Sequence, residues 1–198
     1  MKIVIQLVLL VVIVALGWFV YSSIMEPVKF KEEMDARQAK VVQHLKDIRN
    51  TQFYYKRAHS EYAKSFDSLV AFIRDGEIPV VKIIPDPEDT TFVRTINDTV
   101  GYVSVVDSLF GRRVNFNFAN LGVIPFSRGD SFKLDAGSIE RGGVKVSVFE
   151  AKAHYKTYLY GMDEQAIINL VASKEDIERY PGLKVGSMTE PSTDGNWE

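Results

Sequence analysis

IVIQLVLLVVIVALGWFVYSSIM, residues 3–25, holds no charged side chain, and only Gln6, Ser22 and Ser23 interrupt its apolar text. As a helix it is about 35 Å long at 1.5 Å per residue, enough for a hydrocarbon layer ~30 Å thick with a little tilt. Trp18, Phe19 and Tyr21 gather toward its C-terminal end, where rings with an apolar body and a polar edge favour a membrane–water interface. The reading is a transmembrane anchor over residues 1–27, running from Ile3 to the interfacial Trp18, Phe19 and Tyr21. A cleaved signal peptide is the first alternative, since Ala15-Leu16-Gly17 offers a small-x-small cleavage pattern. The apolar run continues through Met25, longer than the hydrophobic region of a signal peptide. A buried helix of a soluble domain is the second, and uniform apolarity over this length opposes it.

Working outward, the text turns charged after Pro27: Lys29, Lys31, Glu32, Glu33, Asp35, Arg37, Lys40. Proline suits a first helical turn or a kink, so the anchor helix continues into a stalk helix that need not be collinear with it. Val41, Leu45, Ile48, Gln52 and Tyr55 then recur at spacings of four and three, the seam of an amphipathic helix. Lys46, Asp47, Arg49, Asn50 and Lys56 fall on the solvated side. The seam suits packing on the chain's own sheet or a helix bundle with partners. Upstream, Met34 and Gln38 fill it poorly, which opposes a long coiled coil. His59-Ser60-Glu61 reads as a turn. Ser65 then caps a short helix with Asp67 in its first turn and Gly76 at its end. Residues 28–76 thus form a stalk helix and a short second helix.

Residues 77–188 read as a β-rich head with one C-terminal helix. Strands are expected over 78–84, 90–96, 100–110 and 112–118, the last from the alternation Val114-x-Phe116-x-Phe118, with Asn97-Asp98 and Gly111 as turns. Residues 121–126 read as irregular. Short strands flank turns at Gly137 and Gly142-Gly143. Residues 144–153 alternate apolar and polar throughout, as in an antiparallel sheet with one solvated face. Asp163 caps a helix over 164–173, and 183–188 reads as a last strand. Residues 189–198 read as a loose polar tail. The fold class is α+β, with helices on one side of an antiparallel sheet.

Composition narrows the function. The 198 residues carry a net charge of −2, whereas a nucleic-acid module shows a basic face. The nearest to one is Arg112-Arg113 with Lys145, Lys152 and Lys156 among aromatics, which sheet alternation also explains, and no nucleic-acid partner is expected. The chain has no cysteine, which excludes disulfides, thiol nucleophiles and cysteine metal sites. His44, His59 and His154 have no metal spacing. Asp86, Glu88 and Asp89 form an acidic loop without an EF-hand pattern. Ser104, Asp107 and His154 lack the elbow of a hydrolase nucleophile, and no phosphate-binding glycine loop occurs. Neither catalysis nor a cofactor is expected.

Ile48-Arg49-x-x-Gln52-x-x-Tyr55 followed by Tyr62-Ala63-x-Ser65-Phe66-Asp67-x-Leu69 resembles the register of type IV pilins and type II secretion pseudopilins. The resemblance covers about residues 1–75. It implies an N-terminal apolar helix whose amphipathic half packs on an antiparallel sheet, and a structural role in a bacterial envelope apparatus. Partners would then be the membrane and other proteins, met through the anchor and stalk in a homo- or hetero-oligomer. Some members of that family bind calcium or DNA. The prepilin peptidase site is lacking: Ser22 stands where the family carries Glu, and most of the apolar run precedes Gly17. An uncut anchor is expected. Lys29, Lys31, Arg37 and Lys40 against Lys2 would place the head in the cytoplasm by charge, but long domains translocate largely regardless of it. The expected placement is a single pass through the cytoplasmic membrane with the head on the periplasmic side.

Overall fold

The computed structural model describes residues 1–85, 95–111, 113 and 117–198. One α-helix, α1, runs from Lys2–His59, about 87 Å at 1.5 Å per residue. Its N-terminal half stands clear of the head, and its C-terminal half is embedded in it. The anchor continues into the stalk as one helix, with Pro27 inside α1. Proline removes one backbone bond, to the Ser23 carbonyl. Pro27 itself is exposed, and the helix continues on both sides of it. Ser60 closes α1 in the left-handed conformation at φ 64°, its N–H donating to the Lys56 carbonyl.

α2 (Phe66–Asp75) starts where the cap placed it: Ser65 Oγ accepts from the Ser68 N–H. β1 (Glu77–Pro85) and β2 (Thr95–Ser104) pair as an antiparallel ribbon with a register irregularity between Val80 and Val81. Asn97 and Asp98 lie within β2, paired with Ile83 and Lys82, instead of forming a turn. The strand expected over 100–110 ends at Ser104, and α3 (Val105–Phe110) follows. The reason is local. Ser104 Oγ accepts from the Asp107 N–H and donates to the Asp107 carboxylate at 2.7 Å, an N-cap that outweighs the β-branched Val105 and Val106. Of the strand expected over 112–118, residues 112 and 114–116 lie outside the described residues, and Phe118 opens a 3-10 turn, Phe118–Asn120. The acidic loop Asp86, Glu88 and Asp89 and most of the strand expected over 90–96 also lie outside them.

β3 (Lys133–Arg141), β4 (Val144–His154) and β5 (Gly182–Gly186) form an antiparallel sheet in that order. Gly137 does not turn the chain. It sits within β3 opposite Val148. Gly142 and Gly143, at φ 60° and 77°, make the β3–β4 turn that requires two positive φ values in succession. α4 (Tyr155–Tyr158) follows β4 directly, and α5 (Glu164–Glu175) is capped by Asp163, whose carboxylate accepts from the Ala166 N–H at 2.6 Å. The core joins α1 residues Val41, Leu45 and Ile48 to Leu69, Phe72 and Ile73 of α2, to Phe149, Ala151 and Ala153 of β4, and to Leu183 and Val185 of β5.

The C-terminal segment is pinned, not loose. The Asn196 side chain accepts from the Lys184 N–H at 3.0 Å and donates to the Gly182 carbonyl at 2.9 Å. Its backbone N–H donates to the Lys184 carbonyl, and the Gly186 N–H donates to Asp194. The segment therefore covers the outer edge of β5, where unpaired backbone groups would otherwise invite another strand. Deleting residues 194–198 should strip hydrogen-exchange protection from the amides of Lys184 and Gly186 while β3–β4 amides keep theirs. Unchanged protection at both would contradict the edge-cover role.

Candidate functional site: the junction of α1 with the head

α1 is the element that relates the apolar N-terminal half of the chain to the folded head, so the junction starts from its own side chains. Ile3, Trp18, Phe19 and Tyr21 are all exposed, and Trp18 and Tyr21 lie ring to ring at 6.3 Å. α1 is long and apolar enough to cross a membrane, and none of its most apolar 18-residue window is buried. Further along, Val41, Leu45, Ile48 and Gln52 are fully buried, and Tyr55 is half-buried with its ring 5.3 Å from Phe72, edge on. Burying each aliphatic seam residue contributes about 1.5–3 kcal/mol.

Gln52 is the polar member of that seam, and it is satisfied within the head. Its Nε2 donates to the Ala63 carbonyl at 2.8 Å, and the Ala63 N–H donates to its Oε1 at 2.9 Å. The side chain thus takes the place of a backbone partner for the turn between α1 and α2. Tyr62 beside it packs on Phe149 at 4.7 Å, and Lys56 lies over the Tyr62 ring.

Asp47, expected on the solvated face, is buried. Its carboxylate accepts from both terminal nitrogens of Arg113, at 2.6 and 2.9 Å, and from Gln43 Nε2 at 3.1 Å. The carboxylate pushes the Arg113 guanidinium's pKa above its ordinary value. Helical periodicity misses this because the head wraps more than one side of α1. Arg49, also expected in solvent, pairs with Glu198 at 2.9 Å and donates to the Thr193 carbonyl, holding the C-terminal segment to the stalk. Arg37 donates to the carbonyls of Tyr158 and Tyr160 at 3.3 and 2.8 Å and lies over the Phe126 ring. A signal for such pairs is weak in sequence, since their partners lie more than sixty positions away.

His44 sits between these contacts, stacked on Phe132, with Nδ1 buried and without a hydrogen-bond partner among the described residues. Burial lowers its pKa below 6.5, Asp47 pulls it up and Arg113 pushes it down again, with burial the largest effect. The folded state therefore binds fewer protons than the unfolded state just below pH 6.5. Stability contributed by neutral His44 is present above that pH and is lost as pH falls toward the folded pKa. His154 shifts the same way. The expected result is a fall in Tm from pH 7 to pH 5 that is shallower in His44→Leu. An identical slope in that variant would remove His44 from the account.

The residues weighed for chemistry are occupied elsewhere. Ser104 and Asp107 cap α3. His154 accepts from the Lys156 N–H and caps α4. Lys152 pairs with Glu150 at 2.6 Å, while Phe149 and Tyr158 are buried. Among the described residues no group of three or more His, Asp or Glu side chains is placed to hold a metal ion.

Fold and junction together define a chain of mixed helix and sheet, in which a long apolar N-terminal helix continues into the core of a head built on small antiparallel sheets. No protein-family model, curated protein or solved structure matches the chain.

Proposed function

We propose that the chain is a non-catalytic, pilin-like assembly subunit of a bacterial envelope apparatus of the secretion or pilus type. α1 anchors it in the cytoplasmic membrane in a single pass, with the head on the periplasmic side. The observation that supports this reading is continuity. The same helix whose apolar half is unburied carries, without interruption, the seam and the Gln52 clamp that organise the head. A force or contact on the apolar half is then transmitted to the head through one rigid element. Lys31, Asp35, Ala39 and Gln43 recur every four residues on an exposed side of α1, the surface left for protein partners.

Two measurements test it. Mass spectrometry of the membrane-extracted protein should find the N-terminus intact, and a cut after Gly17 would oppose a permanent anchor. Single cysteines at Asp35 or Gln43, in a chain that otherwise has none, should crosslink to a second subunit in membranes. Monomer alone at both positions would count against an assembly role.

A second reading, a membrane-tethered binding domain, draws on a groove of 520 Å³ where Tyr155, Tyr180 and Trp197 stand beside Lys174, Arg179 and Lys184 and the carboxylates of Glu178 and Glu198. Aromatic faces beside charges of both signs suit a peptide ligand. Tyr180→Ala that leaves assembly crosslinks unchanged and abolishes capture of a peptide carrying charges of both signs would favour this reading over the first.

A further inference from the structure

Strands of an antiparallel sheet turn the backbone groups of alternate residues to either side. On β5, the groups of Lys184 and Gly186 point away from β4, because Asn196 and Asp194 hold them. Leu183 and Val185 therefore bond to β4, at Ala153 and Ala151. Ala151 and Ala153 face β5, so Glu150, Lys152 and the other even positions of β4 face β3. Their partners are the odd positions of β3, from Lys133 to Arg141. The N–H and C=O groups of Leu134, Ala136, Ser138 and Glu140 are left on the outer edge, roughly 6.8 Å apart. The Phe132 N–H, one step earlier in that series, points the same way and donates to the Gly122 carbonyl at 2.8 Å.

Other strand edges in the head are closed or blunted. The C-terminal segment covers β5. β1 carries Pro79, which has no N–H, and β2 carries an extra residue, Val100, between Gly101 opposite Val80 and Thr99 opposite Val81. β3 pairs with β4 over 9 residues with neither a proline nor a register shift. Among the described residues its outer groups from Leu134 to Glu140 have no backbone partner. Its charges lie toward the ends, Lys133 and Asp135 at one and Glu140 and Arg141 at the other, with Ala136 to Ile139 uncharged between them. Donors and acceptors repeating at this spacing are matched by another extended strand. Beside the edge, Ile139 and Val146 are half-buried and Val144 is exposed, apolar surface that an added strand partly covers.

We propose that β3 is a docking edge, which takes an extended segment of a different protein as a further strand of the sheet. The segment runs antiparallel to β3, the direction of every pair already in this sheet. It carries cations opposite Asp135 and Glu140 and carboxylates opposite Lys133 and Arg141, since like charges directly opposite oppose pairing. A second copy of this chain does not fit. Pairing β3 with its own copy needs a two-fold axis normal to the sheet. α1 packs along one face of that sheet, so the axis would reverse it and send the apolar halves of the two copies in opposite directions. That exclusion rests on the reading of α1 as a membrane anchor, whereas the open edge is a property of the head.

The test uses the full chain in detergent and a synthetic peptide with this charge order, Glu-Lys-Val-Thr-Val-Thr-Lys-Val-Glu. Hydrogen exchange followed by NMR should find the Gly137 and Ile139 amides slow, and those of Ala136 and Ser138 fast, in the chain alone. Saturating peptide should slow Ala136 and Ser138 by about tenfold or more, and a peptide with its glutamates and lysines exchanged should not. Ser138→Pro deletes one outward N–H and no bond to β4, so it should abolish the slowing at Ala136, while Ser138→Ala keeps it. Slow exchange at Ala136 and Ser138 in the chain alone would overturn the proposal, because the edge would already be paired. Exchange unchanged by the peptide, equal slowing by both peptides, or slowing that survives Ser138→Pro would overturn it too. The two peptides decide the question on the unsubstituted chain even if Ser138→Pro unfolds. All of these results leave the N-terminal and crosslinking tests of the assembly subunit untouched.

Discussion

Gln52→Met should lower the stability of the head by about 2–6 kcal/mol, although it keeps the side chain's volume. The wild-type amide is fully buried and holds both backbone groups of Ala63. Methionine fills the space and offers neither a donor nor an acceptor of comparable strength. The Ala63 N–H and carbonyl are then left in a water-excluded turn, at about 1–3 kcal/mol for each orphaned group. For a chain of this size that is a fall in Tm of roughly 5–15 °C, measured by near-UV circular dichroism of the full chain in detergent. Leu45→Ala provides a scale from the same seam, at about 2–5 kcal/mol through a cavity alone. If Gln52→Met costs less than about 0.5 kcal/mol, within the scatter of a surface substitution, the clamp does not hold the turn. The consequence reaches the proposed function, since a head that loosens at this turn no longer follows α1 as one body.

The second large effect is an asymmetry at the ion pair. Arg113→Ala leaves the Asp47 carboxylate, 3% exposed as a side chain, with Gln43 and without its cation. Stranding a buried charge costs about 3–5 kcal/mol, and partial access of water around a 40% exposed Arg113 side chain reduces that to about 2–4. Asp47→Asn removes the charge that needs burial, and the guanidinium can turn toward water, so about 1–2 kcal/mol is expected. The double variant should recover part of the loss, with a coupling of about 1 kcal/mol or more in a double-mutant cycle by urea denaturation. Additive single effects would show that the two side chains meet without supporting each other.

Local features of the chain were legible in its residues. In β4 the alternation does not run throughout, since the neighbours Val148 and Phe149 are both buried and Val144 is exposed. The apolar run, the Ser65 and Asp163 caps and the Gly142-Gly143 turn all depend on neighbours within a few positions. Each of them appears where that text placed it. The helix at Val105 was also written locally, in Ser104-x-x-Asp107, but β-branched residues on both sides masked the cap. At the junction, the seam from Val41 to Tyr55 was readable as a stripe, whereas Asp47 and Arg49 looked like its solvated flank.

Sequence by itself determined that residues 3–25 form an unbroken, uncharged helix and that an amphipathic stripe follows, because hydrophobic period and the absence of charge are properties of adjacent residues. Only the tertiary structure decided how far the head wraps around that helix. The carboxylate of Asp47 is buried because Arg113, distant in the chain, arrives on its side of α1. The C-terminal segment is ordered because Asn196 and Glu198 find the edge of β5 and Arg49. A periodicity names one buried face, and the number of faces covered depends on elements that meet only after the chain has folded.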